Sequence, residues 1–363
     1  MKILIFADAS NPHTEKWLRF YYDRKIDVEI ATLIESGFPN IPVHLLRSVS
    51  YQKRKNNREY NRLKVFWEVY PQLKGIVNKV QPDIVHAHYA SSFGLYASIT
   101  GFHPFILSVW GSDITDFPNR SLFNRFLIRH ILSKADFICS SSEYLSEATK
   151  KYTSREPYLI YFGVDTKQFK PLAEFKKDQD KFIFGTVKAL DKHYGINYLI
   201  EAASLINQQI PNWELWIGGE GTEKDHLKNL VKQLNIDDKV RFLGYIPHFK
   251  VPEVLDQLDV FIVPSLEESF GVAAAEASAC QLPVIASAIG GLPEIIVESE
   301  TGYLVKPGSA VAIAEKLIHL YRNPNLRMEM GKAGRENVKA KFEWQINADK
   351  MINIYEKILR KKL

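Results

Sequence analysis

Glu268 and Glu276 flank a Ser-Phe-Gly turn in the stretch Pro264-Ser-Leu-Glu-Glu-Ser-Phe-Gly-Val-Ala-Ala-Ala-Glu276. Their types and spacing are the strongest chemical signal in the chain. The preceding Asp-Val-Phe-Ile-Val, residues 259–263, is a short apolar run that ends at Pro264, as a buried parallel strand would. Ala273 to Cys280 is alanine-rich and reads as a helix. The order is strand, tight loop, helix, with the loop at the carboxyl end of a strand, where open α/β sheets bind ligands. Gly271 lets the backbone approach a ligand closely, and the helix N-terminus offers amides to a phosphate. Two acids beside a phosphate would repel it unless they bind something else, and hydroxyls are their natural partners. A sugar nucleotide carries hydroxyls on both sides of its pyrophosphate. The stretch therefore fits a site of glycosyl transfer.

The elements that must position this loop follow from the pattern along the chain. In the first half, Lys2–Ala7, Val28–Thr32, Ile84–Ala87, Phe105–Val109 and Phe137–Ser140 read as strands, and Trp17–Tyr22, Arg62–Val80, Ser121–Leu132 and Ser142–Lys151 as helices. The turn Gly163-Val-Asp165, continuing through Pro171, marks a crossover. The second half repeats the alternation, with strands at Phe182–Thr186, Glu214–Ile217, Val240–Leu243, Val260–Val263 and Val284–Ala286. Helices follow most of them, including Asn197–Ile206 and Lys224–Leu234. Alternating strands and helices mean parallel sheets. Two such sets predict an α/β protein of two doubly wound, Rossmann-like lobes facing a central cleft. At 363 residues the chain is long enough for two cores. The last segment, Trp344 to Leu363, has apolar residues at helical spacing.

Several segments together carry a family resemblance: Asp83-Ile-Val-His-Ala-His88, Trp110-Gly-Ser-Asp113, Gly163-Val-Asp165 with Phe169 and Pro171, Gly218-Gly-Glu-Gly221, Val240-Arg-Phe-Leu-Gly244, Gly290-Gly-Leu-Pro-Glu294 and Thr301-Gly-Tyr-Leu-Val305. In this order, with the Glu268…Glu276 pair, the chain resembles the retaining glycosyltransferases of family four, which have the GT-B fold and an E-x7-E signature. The resemblance runs over nearly the whole chain and says little about substrate. It implies an acceptor-side lobe at residues 1–170 plus 345–363, the terminal helix crossing back, and a nucleotide-sugar lobe at 171–344. Glu276 is then expected to hold the ribose, and Glu268 the hydroxyls of the transferred sugar, with Glu267 an alternative for the latter. The amides of Phe270, Gly271 and Val272 would meet the sugar and the distal phosphate, Gly219 would lie in a phosphate-side loop, and the backbone at Tyr245 and Ile246 would meet the base.

The resemblance also calls for two cations on the pyrophosphate. Lys188, after the strand that opens the second lobe, matches the first. The second departs: in Asp191-Lys-His-Tyr-Gly195 a tyrosine precedes the glycine, so Lys192, or else His193, is expected to supply the charge. In the first lobe His13, His88, Trp110 and Asp113 are expected on the acceptor or sugar side. Relatives carry a histidine where this chain has Trp110. Either the indole meets the transferred sugar, or it packs away and His88 or His13 makes that contact. Alternation along the strand puts His86 and His88 on the same side.

Composition narrows the partners. Residues 1–172 hold 23 Lys+Arg and 16 Asp+Glu, or 23 − 16 = +7, and the remainder 24 and 26, or 24 − 26 = −2. A basic first half fits an anionic membrane or an acidic acceptor; no nucleic-acid module is recognisable. The basic, aromatic segment Tyr51–Lys64, and Arg120, Arg125 and Arg129 beside Phe123 and Phe126, fit interfacial docking. There is no apolar run of membrane-spanning length, and the N-terminus reads as a first strand rather than a signal peptide. Cys139 and Cys280 lack metal-ligand spacing and read as core residues of a reducing cytosol. The expected protein is cytoplasmic, peripheral on the inner face of the membrane.

These readings converge on a retaining, metal-independent hexosyltransferase of polysaccharide biosynthesis. It would move a sugar from a nucleotide sugar, a UDP-sugar by preference, to a hydroxyl of a surface-polysaccharide or lipid-linked glycan acceptor. No cofactor is expected, since the nucleotide sugar is a substrate, and no metal, since no Asp-x-Asp pair lies near the donor loops. A GT-B nucleotide-sugar epimerase and a non-catalytic sugar-nucleotide-binding subunit remain alternatives. A nicotinamide dehydrogenase would need a Gly-rich first turn, and Asp8-Ala-Ser-Asn-Pro-His13 has none.

Overall fold

The computed structural model describes residues 1–34, 38, 40–52, 62–172 and 180–360. The chain divides into two compact units, Met1–Ile160 with Ala348–Leu363, and Tyr161–Asn347. The Gly163–Asp165 turn and the expected boundary at 170/171 thus lie inside the second unit.

The first unit is built on seven parallel strands, β1 (Lys2–Phe6), β2 (Asp27–Thr32), β3 (Val43–Leu45), β4 (Ile84–His88), β5 (Phe105–Val109), β6 (Phe137–Ser140) and β7 (Tyr158–Leu159), in the order β3-β2-β1-β4-β5-β6-β7. The second unit has six parallel strands, β8 (Phe182–Val187), β9 (Trp213–Gly218), β10 (Val240–Gly244), β11 (Val260–Val263), β12 (Val284–Ser287) and β13 (Gly302–Val305), in the order β10-β9-β8-β11-β12-β13. Both sheets grow outward from their first strand and then switch sides, at β1/β4 and at β8/β11. That is the doubly wound arrangement, and ligands bind at the carboxyl ends of the strands beside the switch.

Central strands buried on both faces need continuous apolar runs. β4, β5, β11 and β12 are buried at every position. The helices start where side chains can satisfy their first amides. Asn11 accepts from the His13 amide at the head of Pro12–Asp23, and Ser121 from Asn124 at the head of Leu122–Lys134. The core of the second unit packs Phe184, Trp213 and Ile262 around Leu199 and Leu317; that of the first packs Phe6, Val85 and Leu107 around Leu73 and Ile131.

The final helix, Trp344–Arg360, begins in the second unit and from Ala348 belongs to the first. There the Tyr355 hydroxyl meets the Tyr21 hydroxyl at 2.7 Å and Nδ1 of His86 at 2.6 Å. This buried chain ties the two ends of the sequence together under β4.

Two helices of the first unit leave apolar side chains in water. Leu63, Trp67 and Tyr70 are exposed along Arg62–Val80, and Leu122, Phe123 and Phe126 along Leu122–Lys134, the latter beside exposed Arg125 and Arg129. The opposite faces, with Val65, Val69 and Leu73 on one and Ile128, Ile131 and Leu132 on the other, enter the core. Residues 53–61 of the basic segment lie outside the described residues. Among the described residues no helix is long and apolar enough to cross a membrane.

Candidate active site

At the switch of the second sheet, the loops after β8 and β11 lie side by side. Lys188 follows β8, and its ammonium is paired with Oε2 of Glu268, in the loop after β11. Both side chains are largely buried, 10% and 13% exposed, so little water screens the pair. Ser265 Oγ lies 3.4 Å from the same carboxylate oxygen. Glu267, the alternative, points to solvent.

The loops are stitched together by backbone. The amides of Leu266 and Glu267 donate to the His193 carbonyl at 2.8 and 3.3 Å. Gly290 and Gly291 support the loop from behind. Gly290 has φ +58, and a Cβ there would fall 1.6 Å from the Glu268 carbonyl oxygen, so only glycine fits. The Gly-Gly-Leu-Pro-Glu segment is therefore the backing of the carboxylate loop.

Lys192 and His193 are exposed in the short turn Lys192–Tyr194, and among the described residues neither is paired with Glu268. Tyr194 does approach: the Lys188 ammonium sits 4.5 Å from the centre of its ring. This is a cation–π contact in a partly desolvated place. Burial, with the charges of Glu268 and Asp191, raises the Tyr194 phenol pKa and keeps it protonated. Sequence reasoning assigned no role to Tyr194, treating it only as the place where a lysine was missing.

Phe270 is fully buried against Tyr161, Phe162 and Phe342, at ring distances of 5.7, 6.2 and 5.7 Å. It anchors the loop, and only its backbone is left to meet a ligand. Gly271 and Val272 open the helix Val272–Ala279, whose first amides have no partner within the helix. Glu276 lies one turn further on and is 9% exposed. Its Oε1 accepts from Nε2 of His248 at 2.7 Å. His248 lies in a turn after β10 and was not singled out by the sequence. Gly219, after β9, donates its amide to the Gly244 carbonyl at 2.7 Å, joining the loops after β9 and β10. Beyond Gly244, Tyr245 is exposed and Ile246 half-buried.

In the first unit the expected site residues gather at the carboxyl ends of β1, β4 and β5. Asp113 is fully buried, with Oδ1 accepting from the amides of Trp110 (3.2 Å) and Gly111 (2.8 Å) and Oδ2 from Ala90 (2.7 Å). It braces the loops after β4 and β5. Burial pushes its pKa up, against the lowering effect of those three amides.

His88 lies next to these loops. It is 1% exposed, beneath the tilted Trp110 ring at 4.6 Å and beside His86 at 4.8 Å. Burial holds the His88 imidazole well below its ordinary pKa and takes His86 to about 3, so both are neutral. His86 is satisfied by Tyr355 and by Ser108 Oγ at 2.8 Å, whereas among the described residues neither ring nitrogen of His88 has a hydrogen-bond partner. His13 stands edge-on to Trp110 at 6.1 Å. Cys139 and Cys280 are buried, and burial raises the pKa of each thiol.

Two doubly wound parallel sheets, the second with a lysine–glutamate pair at its switch, are the architecture of the GT-B class. Comparison with known proteins agrees. Residues 168–337 match the family model for glycosyl transferases group 1, and residues 2–142 that for glycosyl transferase 4-like domains. The chain thus carries a group 1 glycosyl transferase domain and a glycosyl transferase 4-like domain, and it is a glycosyltransferase. It is 28% identical over 289 residues to N-acetyl-alpha-D-glucosaminyl L-malate synthase of Bacillus anthracis, covering 76% of this chain and 74% of that one. It is 26% identical over 347 residues, 92% and 94% of the two chains, to an uncharacterized glycosyltransferase of Methanocaldococcus jannaschii. Among solved structures it is similar to sucrose-phosphate synthase of Thermosynechococcus elongatus, with TM-score 0.83, 22% identity and coverage of 99% and 100%. It is also similar to HepE of Anabaena in complex with UDP, with TM-score 0.82, 18% identity and coverage of 98% and 100%.

Proposed function

We propose that this glycosyltransferase transfers a sugar from a UDP-sugar, with retention and without a metal, to a hydroxyl of a surface-polysaccharide or lipid-linked glycan acceptor. The observation that carries the reading is the Lys188–Glu268 pair at the β8/β11 switch, one loop away from the buried carboxylate of Glu276. Glu276 holds the ribose hydroxyls, Glu268 those of the transferred sugar, and the amides of Gly271 and Val272 the distal phosphate. Lys188 is the cation that answers the charge growing on the leaving diphosphate. The bond from the anomeric carbon to the phosphate oxygen breaks while the acceptor oxygen bonds to that carbon on the same face. The acceptor proton passes to the leaving phosphate oxygen, so the step calls for no protein base. Tyr194, rather than Lys192 or His193, stands against Lys188 and keeps it aimed. The UDP preference draws support from the nucleotide in the Anabaena structure.

The test is NMR of UDP-glucose and UDP-N-acetylglucosamine turnover in EDTA, read before mutarotation equilibrates. The expected result is release of UDP with the first sugar product in the α configuration and no gain on adding manganese. A β product overturns retention; activity lost in EDTA and restored by manganese overturns metal independence.

A lipid-linked acceptor places the enzyme at a membrane surface. The exposed Leu63, Trp67 and Tyr70, and Leu122, Phe123 and Phe126 with Arg125 and Arg129, supply apolar and cationic groups for an anionic bilayer. Sedimentation with anionic vesicles is expected, falling with salt and lost in Phe123→Ser/Phe126→Ser. Equal binding to neutral vesicles, or none, contradicts this docking.

A further inference from the structure

Glu276 has a partner that comes from a different loop. His248 lies in the turn His248–Lys250, after β10, and its side chain is 63% exposed, yet its Nε2 reaches Oε1 of the nearly buried Glu276 at 2.7 Å. The ring leans on Phe169, 5.1 Å between centres, and Phe169 is itself buried, with its carbonyl accepting from Arg335 at 3.0 Å. The histidine thus has a firm platform on one side and a carboxylate on its tip.

An ionised carboxylate only accepts, so Nε2 carries the proton and donates. That single bond leaves most of the carboxylate's lone pairs unspent, since two oxygens offer about four acceptor sites. A lysine or arginine in the same place would neutralise the charge and compete with an incoming diol. An imidazole can fix the carboxylate's direction without taking its charge. Holding a binding group in one rotamer before the ligand arrives lowers the ordering cost of binding.

We infer that His248 is the positioning residue of the ribose site: it orients Glu276 so that the carboxylate accepts from both hydroxyls of a ribonucleotide, and the preference for ribo- over 2′-deoxyribonucleotide runs through the His248–Glu276 pair. This rests on the reading of Glu276 as the ribose carboxylate. His248 touches no reacting atom, so its effect falls on nucleotide affinity and leaves the chemical step alone.

The test is calorimetry of whichever of UDP, GDP and ADP raises the melting temperature most, set against its 2′-deoxy counterpart. The wild type is expected to prefer the ribonucleotide by about 10-fold, the size of one hydrogen bond to a charged group. Glu276→Ala abolishes that preference. His248→Ala reduces it to about 2-fold or less, because an unfixed carboxylate loses the second contact, and raises the KM for the nucleotide sugar while kcat stays at wild type. His248→Gln, which keeps an N–H donor, retains most of the preference. A full preference in His248→Ala together with its loss in Glu276→Ala overturns the role of His248 and leaves the ribose reading standing; so does a fall in kcat with KM unchanged. A wild type without preference, or a preference that survives Glu276→Ala, overturns the ribose reading itself and this inference with it.

Discussion

Glu276→Ala is expected to weaken nucleotide binding by roughly 10- to 150-fold, since losing a hydrogen bond to a charged group costs about 1.5–3 kcal/mol. The variant should stay folded. Position 276 lies in Val-Ala-Ala-Ala-Glu-Ala-Ser-Ala, where alanine is the best helix former. The partner left behind, His248, is exposed and returns to water, so no buried polar group is orphaned. Calorimetry with UDP that gives wild-type affinity in the folded variant contradicts the assignment.

Lys188→Ala is expected to lower turnover by about 100- to 1000-fold, the scale of removing one preorganised group aimed at developing charge. Binding of free nucleotide should fall less, because the charge on the leaving diphosphate grows toward the transition state. The ion pair complicates a single substitution. Removing the lysine strands the largely buried carboxylate of Glu268, and an uncompensated buried charge is costly in its own right. Glu268→Gln supplies the control: free UDP binds almost normally and turnover drops, since the lost contact is to the sugar. In the double variant Lys188→Ala/Glu268→Gln, stability recovers and turnover does not. A loss seen only in KM for Lys188→Ala, or wild-type turnover in Glu268→Gln, contradicts these roles.

Much of the fold was legible because strands buried on both faces leave uninterrupted apolar runs. β5, β6 and β11 occupy the expected residues, and β8, β9, β10 and β12 differ by a residue at one end or both. The strands missed are short or lie at sheet edges: β3 has three residues, β7 two, and β13 opens on Gly302, within a segment read only as a motif. Two helices, Ala310–Arg322 and Pro324–Asn337, also went unnamed. The Glu268 loop could be found because strand, turn glycine and alanine-rich helix are contiguous in sequence. The partners of its side chains are not. Lys188 stands opposite Glu268 because β8 and β11 are neighbours at the switch, and His248 reaches Glu276 from the loop after another strand. Tyr355 reaches His86 from the far end of the chain.

The first lobe shows a related limit of sequence pattern. Alternation correctly put His86 and His88 on one side of β4, but alternation cannot distinguish a face open to substrate from one sealed by a neighbouring loop. Here Trp110, beyond β5, covers His88, and Asp113 spends its acceptors on the backbone of the same loops.

The central claim is that the nucleotide of the sugar donor binds at the β8/β11 switch of the second unit. A crystal structure of the protein soaked with UDP tests it most directly. The account predicts ribose hydroxyls on the Glu276 carboxylate, with His248 still bonded to its other side, and the diphosphate beside Lys188 and the amides of Gly271 and Val272. A nucleotide seated on the first sheet, or one whose ribose lies away from Glu276, would contradict it.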